Sequence, residues 1–592
     1  MTDSQPSAAA PSRATNLVVA RMFEEIAQSL EVAGEQTHRL RAYRRAARGV
    51  AAAGPIADLA AQNRLREIYG VGAALEALIA EFLETGAMRT HTRLIEQHPP
   101  GLAPLLHARG FGPAAVHALH ESLGATDLDT VELAAHSGRL AEALGPKRAE
   151  ELIAQLPALR NPIRSLRLKS AWETARSVVE LLSEARPRPL AIEVVGAARR
   201  MCETIEGGLD LVAVLADSNS RTQSAMLDLL EELPSTVQVI ERDTTHVTVR
   251  LYDSVEVRLF VTSPDASGAA LIWHTGSAAH RQRLEVLAAS RGLTLRPDGL
   301  FRETRRVAGA AEEDVYRALD LPWIAPELRE DEGEIEAALA GSLPHLITEA
   351  DLRGDLHCHT NWTDGSATLE DMARAARARG YQYMALTDHS RSLTITNGLS
   401  LERLEEARRL VQQVNQQLAP FVVLLGTEMD ILEDGRLDYP DDVLATLDYV
   451  SASVHSRFKQ TEAQMTPRIL RAVTHPLVHT LNHPHGRLLG SRPSYAVDMP
   501  RVIAAATASG CALEVSADPA RMDLDGGWAR RVREAGGRCT ISSDAHSTLD
   551  FDNIWLAIGS ARRGWLEPQH VLNTSDLEEF RHLLRRPRGV SP

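Results

Sequence analysis

The stretch Asp355-Leu356-His357-Cys358-His359-Thr360 opens a series of seven segments, each an apolar run that ends in a histidine or a carboxylate. The segments are Gly354 to His359, Tyr383 to His389, Val422 to Glu428, Tyr449 to His455, Thr480 to His483, Ala512 to Glu514 and Cys539 to His546. Helical patterns lie between most of them, at Leu369 to Gly380, Leu401 to Leu418 and Trp528 to Gly536. Strands alternating with helices predict parallel βα units, and in barrels of that kind the functional groups gather where strands end and loops begin. Seven strands predict a barrel one short of the usual eight.

Nine candidate metal ligands fall at that end: His357, His359, Asp364, His389, Glu428, His455, His483, Asp544 and His546. Packing does not account for so many polar groups at one mouth, because a buried polar group without a partner costs roughly 2–7 kcal/mol. Divalent ions remove that cost. The mixed nitrogen and oxygen set suits Mn, Zn or Fe and argues against a Ca or Mg cage, which would be built mainly from oxygen. Several ions close together acidify a shared water and offset charge on a leaving oxygen, so the pattern implies hydrolysis of a phosphate ester. Arg487 and Arg521 follow the fifth and sixth strands, where each is either a bidentate phosphate clamp or an ordinary loop arginine. Asp388, beside His389, reads as a group behind the ligands.

Residues 351–592 resemble a PHP (polymerase and histidinol phosphatase) domain, and all nine positions match that family's ligand pattern. The resemblance implies three ions: one held by His357, His359, Glu428 and Asp544, a second by Glu428, His455 and His483, and a third by Asp364, His389 and His546. Glu428 would bridge two of them, and Glu428, Asp544, Arg487 and Arg521 become the candidate catalytic groups.

The chain has 592 residues, 44% hydrophobic and 24% charged, enough for three or four domains. No apolar run approaches a membrane span, and Met1 to Ala14 is polar without a signal-peptide core, so a cytoplasmic protein is expected. Four scattered cysteines, Cys202, Cys358, Cys511 and Cys539, fit reduced thiols. The net charge of −15 is regional. Residues 1–200 carry 24 basic against 22 acidic side chains, whereas 201–350 carry 13 against 26. The densest acidic run, Glu327 to Glu336, reads as a solvated linker. An acidic whole chain does not exclude DNA, since local patches and backbone donors do the holding.

Such donors are suggested upstream. Ile68-Tyr69-Gly70-Val71-Gly72 precedes the helical pattern Ala73 to Leu83, and Gly110-Phe111-Gly112 repeats the plan before a second helix. Two hairpins of helix, Gly-x-Gly turn and helix are expected, with Gly70, Val71, Gly72, Gly110, Phe111 and Gly112 close to phosphates. These turns resemble helix-hairpin-helix motifs of sequence-independent DNA binding, with Leu144-Gly145-Pro146-Lys147 a weaker third copy and Arg41-Ala42-Tyr43-Arg44-Arg45 a cluster that could face phosphates.

Residues 15–325 resemble a family X DNA polymerase core, and the whole chain resembles bacterial family X polymerases fused to a PHP exonuclease. The matching stretches are Gly196-Ala197-Ala198-Arg199-Arg200 with Glu203-Thr204, Leu209-Asp210-Leu211, Val255-Glu256-Val257-Arg258, Thr275-Gly276-Ser277 with His280, and Gly292-Leu293 to Gly299-Leu300-Phe301. The palm departs from the family pattern. Nucleotidyl transfer needs two carboxylates at i and i+2 with a third on a neighbouring strand. Here Gly208 stands in the first place, Asp210 in the second, Glu256 replaces aspartate in the third, and Ala197 replaces a phosphate-contacting serine. Glu206 lies four residues from Asp210, roughly 13 Å along a strand. The family's Schiff-base lysine is Leu78, and no lysine precedes Lys147.

The expected fold is multidomain α+β and α/β: residues 1–14 disordered, 15–95 an 8-kDa-like helical domain, 96–165 a fingers-like second hairpin region, 166–262 a degenerate palm, 263–325 a thumb, 326–350 an acidic linker and 351–592 a seven-stranded PHP barrel. The expected function is a monomeric DNA-repair phosphodiesterase that trims 3′ ends of gapped or nicked DNA. An active gap-filling polymerase, a small-molecule phosphatase of the histidinol-phosphate type and a purely binding protein are the rivals.

Overall fold

The computed structural model describes residues 13–35, 37–160 and 165–585. Two compact units divide the chain, the first comprising residues up to 166 with 170–195 and 206–271, the second 167–169, 196–205 and 272 onward.

In the first unit, helix Arg13–Val32 buries Val19, Phe23, Ile26 and Leu30 at helical spacing against Tyr43, Val50, Ile68 and Ile79. The helix already begins at Arg13, inside the stretch expected to be disordered; residues 1–12 lie outside the described residues. Asn16 is fully buried and fully used: its amide donates to the carbonyls of Val50, Ala53 and Gly54, and its oxygen accepts from Ile56 N–H. Helix Thr37–Ala52 turns Arg41, Arg45 and Arg48 outward on one face. The two Gly-x-Gly turns have matching backbones, with φ of +83° at Gly70 and +85° at Gly110 and extended N-caps at Gly72 and Gly112. They lead into helices Ala73–Thr85 and Pro113–Leu123. The arm before each turn is a 3₁₀ helix, Leu65–Glu67 and Pro100–His107, instead of the expected α-helix. In the second, Pro104 removes a donor that an α-helix would need. At Gly145 one residue separates helices Arg139–Leu144 and Pro146–Arg160, so no third Gly-x-Gly turn forms.

Five strands complete the first unit: β1 Ala191–Val195, β2 Leu209–Val214, β3 Thr236–Arg242, β4 His246–Leu251 and β5 Glu256–Thr262, in the order β1-β2-β5-β4-β3. β2 and β5 are parallel neighbours, with Asp210 opposite Arg258.

In the second unit, a helix Ala278–Ser290, a three-stranded antiparallel sheet over 294–308 and a helix Glu312–Ala318 precede the acidic run. That run is not a solvated linker. Glu327 pairs with Arg562 at 2.7 Å, Glu330 with Arg200 and Arg563, and Glu334 is fully buried against His280 at 2.5 Å. Its acids meet arginines and a histidine distant in sequence. Seven parallel strands follow in consecutive order: β6 Gly354–Cys358, β7 Tyr383–Leu386, β8 Val422–Asp430, β9 Tyr449–Ser453, β10 Thr480–Leu481, β11 Ala512–Ser516 and β12 Cys539–Ser542. His359 N–H donates to Ala545 O at 2.8 Å, tying the first strand to the last and nearly closing the barrel. Along β8 alternate residues serve two cores: Val423 and Leu425 meet the outer helices, and Leu424 joins Tyr383, Tyr449 and Phe580 in a smaller core. No helix among the described residues is long and apolar enough to cross a membrane.

The two glycines of the first turn have different jobs, which substitution separates. A Cβ at Gly70 would lie 2.9 Å from Ala46 N in a left-handed backbone, whereas one at Gly72 meets nothing within 4 Å. Gly70→Ala should cost about 1–2 kcal/mol or more, lowering the thermal midpoint by calorimetry, and Gly72→Ala should leave it unchanged.

Candidate metal centre

The strand ends bring all nine predicted ligands to one mouth. Glu428 is buried at its middle. Its Oε1 lies 2.9 Å from His483, 3.2 Å from His455 and 3.4 Å from His357; its Oε2 lies 2.9 Å from His389 and 3.6 Å from His359. Asp544 stands 3.4 Å from both His357 and His359, and Asp364 3.3 Å from His389 and 3.5 Å from His546. The donor atoms form four overlapping groups: His359, Asp364, His389 and His546; His357, Glu428 and His483; His357, His359 and Asp544; His389, Glu428 and His455. Compared with the three sets implied by resemblance, His359 also reaches the Asp364 group and His389 also reaches Glu428 and His455. Two ligand residues are held in left-handed backbone, His483 at φ +29° and Asp544 at +53°. Such conformations persist for non-glycine residues where surroundings over-determine them.

The residues fit divalent cations. Both ring nitrogens of His359 and the Nδ1 atoms of His455 and His483 are buried without a hydrogen-bond partner. The electrostatics agree. Burial alone would raise the Glu428 carboxyl, but His455, His357 and His389 hold it well below the usual carboxylate range. Burial pushes His359 down to about 3 and, with Arg521 nearby, His483 down to about 4. His389 is raised to about 10 against its burial by Glu428 and Asp364, and His546 to about 9 by Asp364 and Asp544.

A further group of side chains orients these ligands. Glu514 is fully buried, pushed up to about 7 by that burial; it accepts from His357 Nδ1 at 2.7 Å and His483 N–H at 2.7 Å. His357 is thereby fixed with Nε2 toward Glu428 and Asp544. Glu514 ends the sixth apolar segment and so carried the same sequence signal as the ligands. Asp388 accepts from Thr360 N–H and from the hydroxyls of Thr360 and Thr363. Asp355 accepts from His357 N–H and Ser543 N–H.

The two candidate arginines differ. The Nε of Arg521 is buried, 3.2 Å from Asp518 and 3.7 Å from Asp544. Arg487 is already spent: it donates to Arg521 O at 3.0 Å, to Met522 O and to Asp525. It braces the Arg521 loop and has no free edge for a phosphate.

The palm is closed where its first carboxylate would stand. Gly207 and Gly208 both have positive φ, +76° and +96°, and a Cβ at Gly208 would sit 2.5 Å from Glu256 O. Asp210 lies 3.4 Å from Arg258 and Glu256 2.8 Å from Arg250. A cavity of about 610 Å³ reaches this point, lined by Arg44, Arg48, Ser177, Gly208, Tyr252 and Glu256 among others.

Comparison with known proteins agrees with this geometry. Residues 14–88 match the helix-hairpin-helix domain, 270–330 the DNA polymerase beta thumb and 355–490 the PHP domain. The DNA polymerase/3′-5′ exonuclease PolX of Bacillus subtilis (strain 168) is 33% identical over 577 residues, covering 96% of this chain and 99% of the relative. The chain belongs to the PolX family. The barrel region alone is 27% identical over 251 residues to a probable phosphatase of Thermoanaerobacter sp. (strain X514), covering 40% of this chain and 95% of that one. It is also 26% identical over 253 residues to the probable phosphatase YcdX of Shigella dysenteriae, at 40% and 96% coverage. As a PolX-family member the chain has the homology of a DNA-repair polymerase and exonuclease, DNA is its partner, and its buried clusters suit divalent metals.

Metal affinity should depend on pH with a fixed sign. His389 and His546 carry protons at neutral pH, and a histidine must be neutral to ligate. Affinity for Mn²⁺ therefore strengthens as pH rises toward about 9 to 10, and binding releases protons. Titration of Mn²⁺ into a weakly buffered solution measures this; no proton release at neutral pH would contradict it.

Proposed function

We propose that this PolX-family chain acts as a phosphodiesterase that trims the 3′ ends of gapped or nicked DNA, and that its palm contributes binding but little synthesis. The observation that carries this reading is the contrast between two sites: nine donors converge in the barrel, whereas Gly208 leaves the palm neither a first carboxylate nor room for one.

Within the barrel, three divalent ions would be held by the nine candidate ligands, with Glu428 at their centre. Bound there, the ions would lower the pKa of a water and offset charge on the leaving oxygen. The protein's own groups do the rest. Glu514 holds His357 in the tautomer that presents Nε2, and the Asp388 and Asp355 bonds fix the Thr360 and Ser543 loops around the ligands. Arg521 is the group poised to bind a phosphate oxygen, because its guanidinium stands 3.7 Å from the candidate ligand Asp544, held there by Asp518 at 3.2 Å. Upstream, the Gly-x-Gly turns and the Arg41, Arg45 and Arg48 face would hold DNA backbone through N–H donors and guanidiniums, without reading sequence. A monomer in the cytoplasm suffices for this scheme.

The probable-phosphatase relatives of the barrel favour a second reading, hydrolysis of small phosphate monoesters. End-labelled gapped DNA and a small monoester, each incubated with Mn²⁺ and purified protein, separate the two. Progressive 3′ shortening with weak monoester turnover is expected; the reverse pattern would favour the phosphatase.

Glu428→Ala should reduce DNA trimming by more than about 100-fold, with bound metal falling in elemental analysis; a fully active variant would rule out the cluster. Primer extension on gapped DNA should be slow for the unmodified protein. Gly208→Asp should not rescue it, because the added side chain meets the Glu256 backbone. Efficient templated extension by either protein would overturn the inactive-palm reading.

A further inference from the structure

The loop that carries Arg521 is held from outside the barrel. Three consecutive carbonyls of that loop accept hydrogen bonds from the loop after β10: Ala520 O from Leu489 N–H at 2.7 Å, Arg521 O from Arg487 Nε at 3.0 Å, and Met522 O from the Arg487 guanidinium. Leu489 is gripped in turn. Its carbonyl accepts twice from Arg167, from Nε at 3.1 Å and a terminal nitrogen at 2.7 Å, across 322 residues of sequence. Residues 167–169 belong to the same compact unit as the barrel, although the surrounding helical chain does not. Lys169 adds a bond to Asn553 at 2.8 Å, and Leu168 N–H donates to Glu203 O at 3.0 Å. Glu203 completes the collar, its carboxylate 3.9 Å from the Arg487 guanidinium. Without these contacts the loop after β10 is a surface turn, exposed at Gly490, Ser491, Pro493 and Ser494.

We propose that Arg167 is a positioning residue for the barrel's phosphate-binding arginine: its two hydrogen bonds to Leu489 fix the loop that fixes Ala520, Arg521 and Met522. The inference rests on the reading that Arg521 binds phosphate. Arg167 itself touches none of the nine ligand residues, so its effect is on the placement of Arg521 and not on metal content. Displacement of a charge-bearing group by about 1 Å suffices to lower a rate substantially. A residue of the polymerase-like stretch thus contributes to hydrolysis in the barrel.

The test uses the full-length protein loaded with Mn²⁺ and the variants Arg167→Ala, Arg167→Lys, Arg521→Ala and the Arg167→Ala/Arg521→Ala pair. Two quantities are read: kcat/KM on bis(p-nitrophenyl) phosphate and the calorimetric Kd for inorganic phosphate. Arg521→Ala should lower kcat/KM by about 100-fold and weaken phosphate binding. Arg167→Ala should lower kcat/KM by about tenfold, weaken phosphate binding in parallel and leave bound Mn²⁺ unchanged, with partial recovery in Arg167→Lys. In the Arg521→Ala background, Arg167→Ala should add no further loss. Wild-type turnover and phosphate affinity in Arg167→Ala beside a defective Arg521→Ala would overturn the proposal while leaving the Arg521 clamp intact. Equal losses with and without Arg521 would also overturn it, since they mark general loosening of the fold. A silent Arg521→Ala would sink the clamp reading and this proposal with it.

Discussion

A fully buried carboxylate surrounded by five imidazoles is the constraint on which the barrel depends. Glu428 comes from the third barrel strand, and its partners His357, His359, His389, His455 and His483 come from the first, second, fourth and fifth. No local segment can assemble that set. A parallel sheet rolled nearly closed does, because every strand then delivers its last residue to one ring. Closure between the first and last strands also brings His357 and His359 to Asp544. Phe580 and its tyrosine neighbours in the smaller core leave the polar end to the ligands.

Much of this was readable in the sequence because each strand announces itself twice, by an apolar run and by an abrupt ionisable residue at its end. The helix Leu401–Leu418 was legible to the residue, since Ser400 caps its start, accepting from Arg403 N–H, and a proline follows closely. Other features were illegible because their partners are remote. Glu327 to Glu336 reads as solvated when only its own neighbours are considered; its partners, Arg200, His280, Arg562 and Arg563, lie up to hundreds of residues away. Arg487 and Arg521 look alike in sequence and differ only in what their guanidiniums meet. Glu514 shares its pattern with Glu428, and its contacts with His357 Nδ1 and His483 N–H distinguish an orienting carboxylate from a candidate ligand.

The palm shows how a missing residue can be a backbone fact. At Gly208 the backbone takes advantage of glycine: φ is +96° and Glu256 O approaches to within 2.5 Å of where a Cβ would be. The remaining carboxylates have found arginines. Such pairs lower the pull of the site on a cation, since a guanidinium opposes the charge that a metal would neutralise.

The arginines of the Gly196–Arg200 stretch complete the argument. Each is occupied by an internal partner. Arg199 forms a two-point pair with Glu312, whose carboxyl is brought down to about 2 against its burial by Arg329 and Arg199. Arg200 binds Glu330 at 2.9 Å and Thr275 O at 2.7 Å, and Arg563 of the barrel region meets both Glu330 and Arg200 O. Gly559 marks the same junction: a Cβ there would lie 2.3 Å from the Met201 side chain. A chain cut before residue 341 would leave Arg562 and Arg563 without their acids. The barrel is therefore completed by upstream chain, with Arg199 and Arg200 acting as internal braces.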